Sequence, residues 1–466
     1  MTSIETDYLV VGAGVTGMGF ADELIAHADA DIVLIDRRHR PGGHWNDGYG
    51  FLRLHQPSAY YGVNSRALGN DRIDESGPNA GFYERASAAE VCDYYGRVLD
   101  EQLLPSGKVR FFGMSDYLGN GDGGHRFVSR LTGETTTVRV RRKLVDATYI
   151  QTSLPINHRP SFGVDPDVRL VTPHALVSLA DQGSGFTIIG AGKTAMDTCC
   201  WLIDHGVPAE RIRWIRPRDP WTVDRNVVQP LKLMGSFVEW FAVQMEAAAQ
   251  AESVGDFMRR LEEAGGHVRL DPTVEPELWR GATLSERECD QLRSIEDVVR
   301  LGYVLHVGAS EIKLERGAIP TDTRQIHVDC SAPGIGTPPG QPIFQPGLIR
   351  MQRVMNGIDA FSAALIGFVE ATRDDGEHAK NRLCRTVTFG RLANDFAPGF
   401  LESQRSRVVW LSDPDVRDWL ARTRLTPFHR AQEFLTDQAG RDALGRMIVN
   451  TGPAIENLER ILGAKV

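Results

Sequence analysis

Two short stretches of this 466-residue chain have the residue types and spacing to hold a pyrophosphate. The first reads YLVVGAGVTG from Tyr8 to Gly17; the second reads FTIIGAGKTAMD from Phe186 to Asp197. Each is an apolar run, a glycine turn and the opening of a helix. Gly12 permits the tight turn, Gly14 leaves the backbone bare to an approaching phosphate, and Gly17 lets the helix lie close on the sheet. Gly190 and Gly192 fill the first two roles in the second stretch, and Ala195 is small enough for the third. A helix N-terminus adds free N–H groups and the positive end of a dipole. Lys193 and Thr194 add a cation and a hydroxyl at the same place. The next apolar run along the chain distinguishes the two stretches. After the first, the run DIVLID ends in Asp36, about 20 residues past the glycines, where a carboxylate accepts from ribose hydroxyls. After the second, the run RIRWIRP carries Arg216, with Pro217 and Arg218 next, and no acid. Guanidinium groups there suit the 2′-phosphate of NADP, which a carboxylate would repel; the alternative is a pair of solvated loop charges. Two nucleotides in one chain suggest that one stores electrons and the other delivers them as hydride.

The segment after Asp36 reads RRHRPGGHWNDGYGFLRLHQPSAYYGV, from Arg37 to Val63. An acid, five residues and then Gly42-Gly43-His44-Trp45 resembles the flavin-containing monooxygenases and their Baeyer–Villiger relatives, with Asp where Glu is more usual. Gly190, Gly192, Thr194 and Asp197 are similar to the second glycine motif of that family. The resemblance implies FAD in the first site, with Arg37, Gly43, His44 and Trp45 among its contacts. Val109, and the pair Ala147-Thr148 in a segment that resembles the family's A-T-G crossing, join them. It implies NADPH in the second site. The stretch FLRLHQPSAYY resembles the segment running under the flavin ring, which makes Arg53, His55 and Gln56 the candidate catalytic groups; His55 could equally be a satisfied core histidine. The implied reaction is a monooxygenation: NADPH reduces FAD, dioxygen forms a flavin hydroperoxide, and a small substrate takes one oxygen at a nucleophilic nitrogen or sulfur. Baeyer–Villiger oxygenation of a ketone, a flavin dehydrogenase or reductase, and a redox sensor without turnover are the alternatives.

The elements that must position these residues form an α/β protein. Two Rossmann-like dinucleotide-binding domains are expected, the NADP domain nested within the FAD domain. The boundaries expected are 1–154 for the first part of the FAD domain, 155–326 for the NADP domain, and 327–466 for the second part. A helical insertion covers about 226–301. Within it, Ser285 and Glu288 have the spacing of a capping box, and Leu292, Ile295 and Val299 recur at helical spacing behind them. Residues 239–265 form another helical stretch whose Trp240, Phe241, Met245, Phe257 and Met258 suit a core. The net charge of −9 argues against nucleic acid as a partner. Six cysteines without a C-x-x-C pattern argue against a thiol redox pair or a zinc knuckle, and no metal site is expected. No apolar run reaches the roughly 20 residues of a spanning helix, so no membrane partner and a cytoplasmic setting are expected. Partners are then a small substrate and dioxygen, and a homodimer is compatible with the pattern.

Overall fold

The structure is a computed structural model, and it describes residues 2–121, 123–179, 183–388, 390–426, 428–429 and 436–463. Its first sheet is centred on the strand Thr2–Val11, which pairs in parallel with Ile32–Ile35 on one side and Thr135–Asp146 on the other. Val109–Phe112 extends it beyond Ile32–Ile35, and Leu348–Arg350 beyond Thr135–Asp146, both in parallel. Strands buried on both faces read as unbroken apolar runs, as IVLI does here. The helix Val15–His27 covers one face, and the nearly all-buried helix Asp359–Thr372 packs on it. Small residues set that approach. A methyl on Gly19 would stand 3.1 Å from the Ala363 methyl, and one on Gly367 would stand 2.9 Å from the Phe20 carbonyl oxygen.

A second sheet is wholly parallel. Its order is Arg169–Val171, Gln325–Asp329, Gly185–Ile189, Ile212–Ile215 and Val298–Val299. It is drawn from chain that lies between the two portions of the first sheet, so one Rossmann-like unit is nested in the other. The helix Lys193–Asp204 follows its glycine turn.

The insertion carries the helices Met234–Gln250, Val254–Glu263 and Glu286–Arg293, and is not wholly helical: its strands His267–Val268 and Leu278–Leu284 flank Pro220–Asp224, just ahead of it, in a three-stranded sheet. The capping box forms: the Ser285 side chain accepts from Glu288 N–H, and Glu288 accepts from Ser285 N–H. The helical spacing expected to continue to Val299 does not hold. The helix stops at Arg293, and Val298–Val299 instead pairs with Trp214 and Ile215. Two adjacent β-branched residues beside an open sheet edge gain more from the ladder than from a further turn. The stretch 239–265 is two helices, parted at Ala251–Ser253, with Ser253 capping the second. Trp240, Met245, Phe257 and Met258 are core residues there, and Phe241 packs against them. The long helix Gln438–Leu462 joins the same core and lies along Met234–Gln250. Asn457 Nδ2 donates to the carbonyls of Ala248 and Ala251 at 2.8 Å, which satisfies acceptors at the end of that helix. No helix among the described residues is long and apolar enough to cross a membrane.

Candidate functional site

The first glycine loop leaves the sheet at the carboxyl end of Thr2–Val11, where parallel sheets bind ligands. Gly12 has φ +105°, a conformation that needs glycine. A methyl on Gly17 would overlap the Gly12 carbonyl oxygen. A methyl on Gly43 would stand 2.9 Å from Gly14 Cα, so the Gly42-Gly43 turn lies directly against the loop. No side chain caps the Val15–His27 helix, and its first-turn N–H groups stay available to an anion. Asp36 closes the far side. One carboxylate oxygen accepts from Ala13 N–H at 2.7 Å and the other from Arg38 N–H at 2.8 Å. Each oxygen keeps further acceptor capacity for a ribose hydroxyl.

Ala147 and Thr148 adjoin this loop. Ala147 N–H donates to Val11 O, Thr16 Oγ1 donates to Ala147 O, and the Thr148 methyl lies 3.0 Å from where a Gly12 side chain would begin. Trp45 is buried with its indole N–H donating to Tyr61 at 2.7 Å, and His44 stacks on it. Burial holds the His44 imidazole down to about 4, so it is neutral near pH 7. Arg37 is exposed. Val109 is misplaced as a contact: it pairs with Ile32, at the strand end opposite the loops, and belongs to the core.

The second loop repeats the plan. Gly190 has φ +135° and packs on the Cys330 carbonyl, where a methyl would stand 2.5 Å away. A methyl on Gly192 would meet nothing within 4 Å, so this mouth is open. The Lys193–Asp204 helix also lacks a side-chain cap. Lys193 is buried and ion-paired with Asp197 one turn along. Tyr49, from the first unit, donates to Asp197 at 3.0 Å. The second helix therefore presents its first turn to the first unit. His174 reinforces this seam, with Nε2 2.8 Å from Asp47 O and its ring edge-on to Tyr49.

His55 lies at the same seam. Burial, then the Lys193 charge, hold its pKa down to about 4. Its carbonyl accepts from Thr283 of the insertion at 2.6 Å, and Gln56 is half-buried beside it. Arg53 is not brought together with them. It forms a bridge with Ser87, donates to Arg85 O at 2.9 Å and turns its exposed guanidinium toward Glu90. Arg216 and Arg218 also part ways. Arg216 is 4 % exposed, ion-paired with Asp219 and laid over Trp214, so its charge is already answered. Arg218 is half-buried over the Tyr303 ring.

Sequence reasoning missed a buried charge cluster behind His55. Glu288 ion-pairs with Arg225, which is 0 % exposed, and lies 3.4 Å from Arg85. Burial pushes the Glu288 carboxyl up, but Lys193, Arg225 and Arg85 outweigh it and hold the group at about 2. Tyr49 was missed as well; a tyrosine between two glycines gives no signal for a contact 148 residues away. All six cysteines are buried and free, and burial pushes the Cys289 thiol up to about 11.

Two glycine loops, one in each Rossmann-like unit, adjoin one seam, and solved structures share this fold. The chain matches the polycyclic ketone monooxygenase of the thermophilic fungus Thermothelomyces thermophila with a TM-score of 0.53 at 12% identity, over 98% of this chain and 89% of that one. A cyclohexanone monooxygenase matches with 0.50 at 11% identity, over 88% of this chain and 98% of the other. The chain thus has the fold of these monooxygenases. Residues 10–54 match the NAD(P)-binding Rossmann-like domain. The protein belongs to one family with uncharacterized proteins of Mycobacterium tuberculosis and Mycobacterium bovis, each 42% identical to it over 424 residues, 91% of this chain and 78% of theirs.

Proposed function

We propose that the protein is an FAD- and NADPH-dependent monooxygenase that places one oxygen atom on a nucleophilic nitrogen or sulfur of a small molecule. The observation that carries this reading is the seam: two uncapped helix N-termini, each behind a glycine cradle, tied through Tyr49 and Asp197. The cradles differ in what they would hold. Gly14, Gly43 and the Val15–His27 helix would take the FAD pyrophosphate, with Asp36 on the ribose and Trp45, Ala147 and Thr148 adjoining. Gly190, Gly192 and Thr194 would take the NADPH pyrophosphate, and the strand beside them ends without a free acid to oppose a 2′-phosphate. When bound, the flavin supplies the redox and oxygen chemistry that no side chain here possesses.

The chain's own work is then placement and protection. Tyr49 and Lys193 hold Asp197, so the second helix keeps its angle to the first unit. His55 stays neutral near pH 7 and offers one N–H and one lone pair at the seam. Gln56 adds an amide beside it. Nitrogen or sulfur is the first target to test, with a ketone as the alternative.

The test begins with purified protein. Flavin absorbance is expected, with bleaching by NADPH under nitrogen. Aerobic turnover is then run on a panel of amines, sulfides and ketones. A product one oxygen heavier than an amine or sulfide, formed in step with NADPH loss, supports the reading. An ester from a ketone would move the chemistry to the Baeyer–Villiger type. NADPH consumption without an oxygenated product would reduce it to a dehydrogenase, and no bleaching would end the proposal.

A further inference from the structure

Arg218, Arg280 and Arg391 come from three parts of the chain: the loop after Ile212–Ile215, the insertion strand Leu278–Leu284, and the segment ahead of the helix Phe396–Ser412. The backbone brings them together. Leu278 forms a bridge with Leu392, Trp279 N–H donates to Arg391 O at 3.0 Å, and Leu278 pairs with Pro220, two residues past Arg218. Arg280 and Arg391 reach carbonyls two residues apart, Pro333 O at 3.5 Å and Ile335 O at 3.4 Å. After burial itself, Arg391 and Arg218 are the charges that push the Arg280 pKa down.

Among the described residues, no carboxylate answers these three cations. The acids nearby are spent: Asp219 on Arg216 and Arg300, Asp271 on Arg300, and Asp395 on the main-chain N–H groups of Arg391 and Leu392. The Nε–H of each of the three arginines is closed off from solvent and has no acceptor. Three clustered guanidiniums repel one another, and shielded donors without partners cost stability. A dianion held by the outer N–H groups of the three forks would relieve the repulsion. One carboxylate is matched by one guanidinium fork; three forks match a group with three oxygens and two charges.

We propose that Arg218, Arg280 and Arg391 form a binding site for a phosphomonoester dianion, which draws the insertion and the C-terminal segment onto the nested unit. The phosphate can come from a nucleotide ribose, in which case the site deepens the NADPH reading, or from the substrate. Binding is measured calorimetrically on the full-length protein with 2′-AMP, 5′-AMP and inorganic phosphate, in the wild type and in Arg280→Gln, Arg391→Gln and Arg391→Lys. If the source is the nucleotide, 2′-AMP binds at least tenfold more tightly than 5′-AMP. Each Gln variant then loses about tenfold for 2′-AMP alone, and the Lys variant recovers part of it. If 2′-AMP shows no advantage but inorganic phosphate binds and weakens in both Gln variants, the site stands and the substrate carries the phosphate. Equal binding of 2′-AMP and phosphate by wild type and Gln variants overturns the proposal, as does no binding of either. Unchanged thermal unfolding of the variants shows that the fold survived. Because binding is read directly, a failure of flavin reduction would sink the monooxygenase reading and leave this result standing.

Discussion

Gly17 and Gly192 occupy glycine loops of the same type, yet a methyl would meet opposite surroundings at the two positions. At Gly17 it overlaps the Gly12 carbonyl oxygen; at Gly192 it meets nothing. Gly17→Ala is therefore expected to destabilise the fold by several kcal/mol, within the large-effect range for overpacking a core position. Gly192→Ala is expected to leave the melting temperature within about a degree, because a surface change of this kind costs roughly 0.5 kcal/mol or less. Its effect is instead a tenfold or greater rise in the KM for NADPH, since the methyl fills the space a pyrophosphate needs. Equal melting temperatures for the two variants would contradict this contrast. Both loops were legible in sequence because the glycine spacing itself is local, even where the packing partner is remote, as Cys330 is for Gly190. Arg53 was not: its outward direction is set by the bridge to Ser87 and the bond to Arg85, neither of which its neighbours in the chain announce.

At the scale of elements, Glu288 does two things at once. It completes the capping box of the helix Glu286–Arg293, and it pairs with Arg225 and Arg85 from the insertion and the first unit. Removing its charge leaves two buried guanidiniums without a counter-ion. Glu288→Gln is expected to cost about 3–5 kcal/mol, the range for breaking a buried pair by one partner. The cap could account for only about 1 kcal/mol, so Ser285→Ala serves as the control. Chemical denaturation measures both, and equal losses would mean that the ion pair adds nothing. The cap was readable from Ser and Glu three apart. The ion pairs were not, because Arg225 and Arg85 lie 63 and 203 residues away in sequence. The end of the same helix was misread for a related reason: spacing continues to Val299, but pairing with Trp214 and Ile215 decides.

For the whole molecule, histidines held neutral by full or partial burial shape the response to acid. Burial, as the largest cause at each, holds His44, His55 and His327 at about 4 and His267 at about 3, against an ordinary value of 6.5. Unfolding lets all four take up protons that the native state refuses, so stability falls as pH drops below 6.5 toward 4. Glu288 extends the loss below pH 4.5, down to its folded value of about 2. Asp22 acts in the opposite sense. Burial raises it to about 6, so its cost is relieved as pH falls below 6. Burial lowers His125 in the same sense as these four and raises Asp224 in the sense of Asp22, so five groups against two predict a melting temperature that declines from pH 6.5 to 4.5, and a flat or rising profile over that interval would refute it. The nested order of the two Rossmann-like units was legible because each carries its own glycine motif. The partner of the insertion was not, because nothing local in the helix Gln438–Leu462 names Met234–Gln250 as its neighbour. That pairing has a consequence for synthesis. A core begun at Trp221 is completed by a helix that the ribosome delivers far later. The insertion is thus among the last parts to become watertight, and Trp221, Trp240 and Phe257 spend translation within reach of chaperones and of other nascent chains.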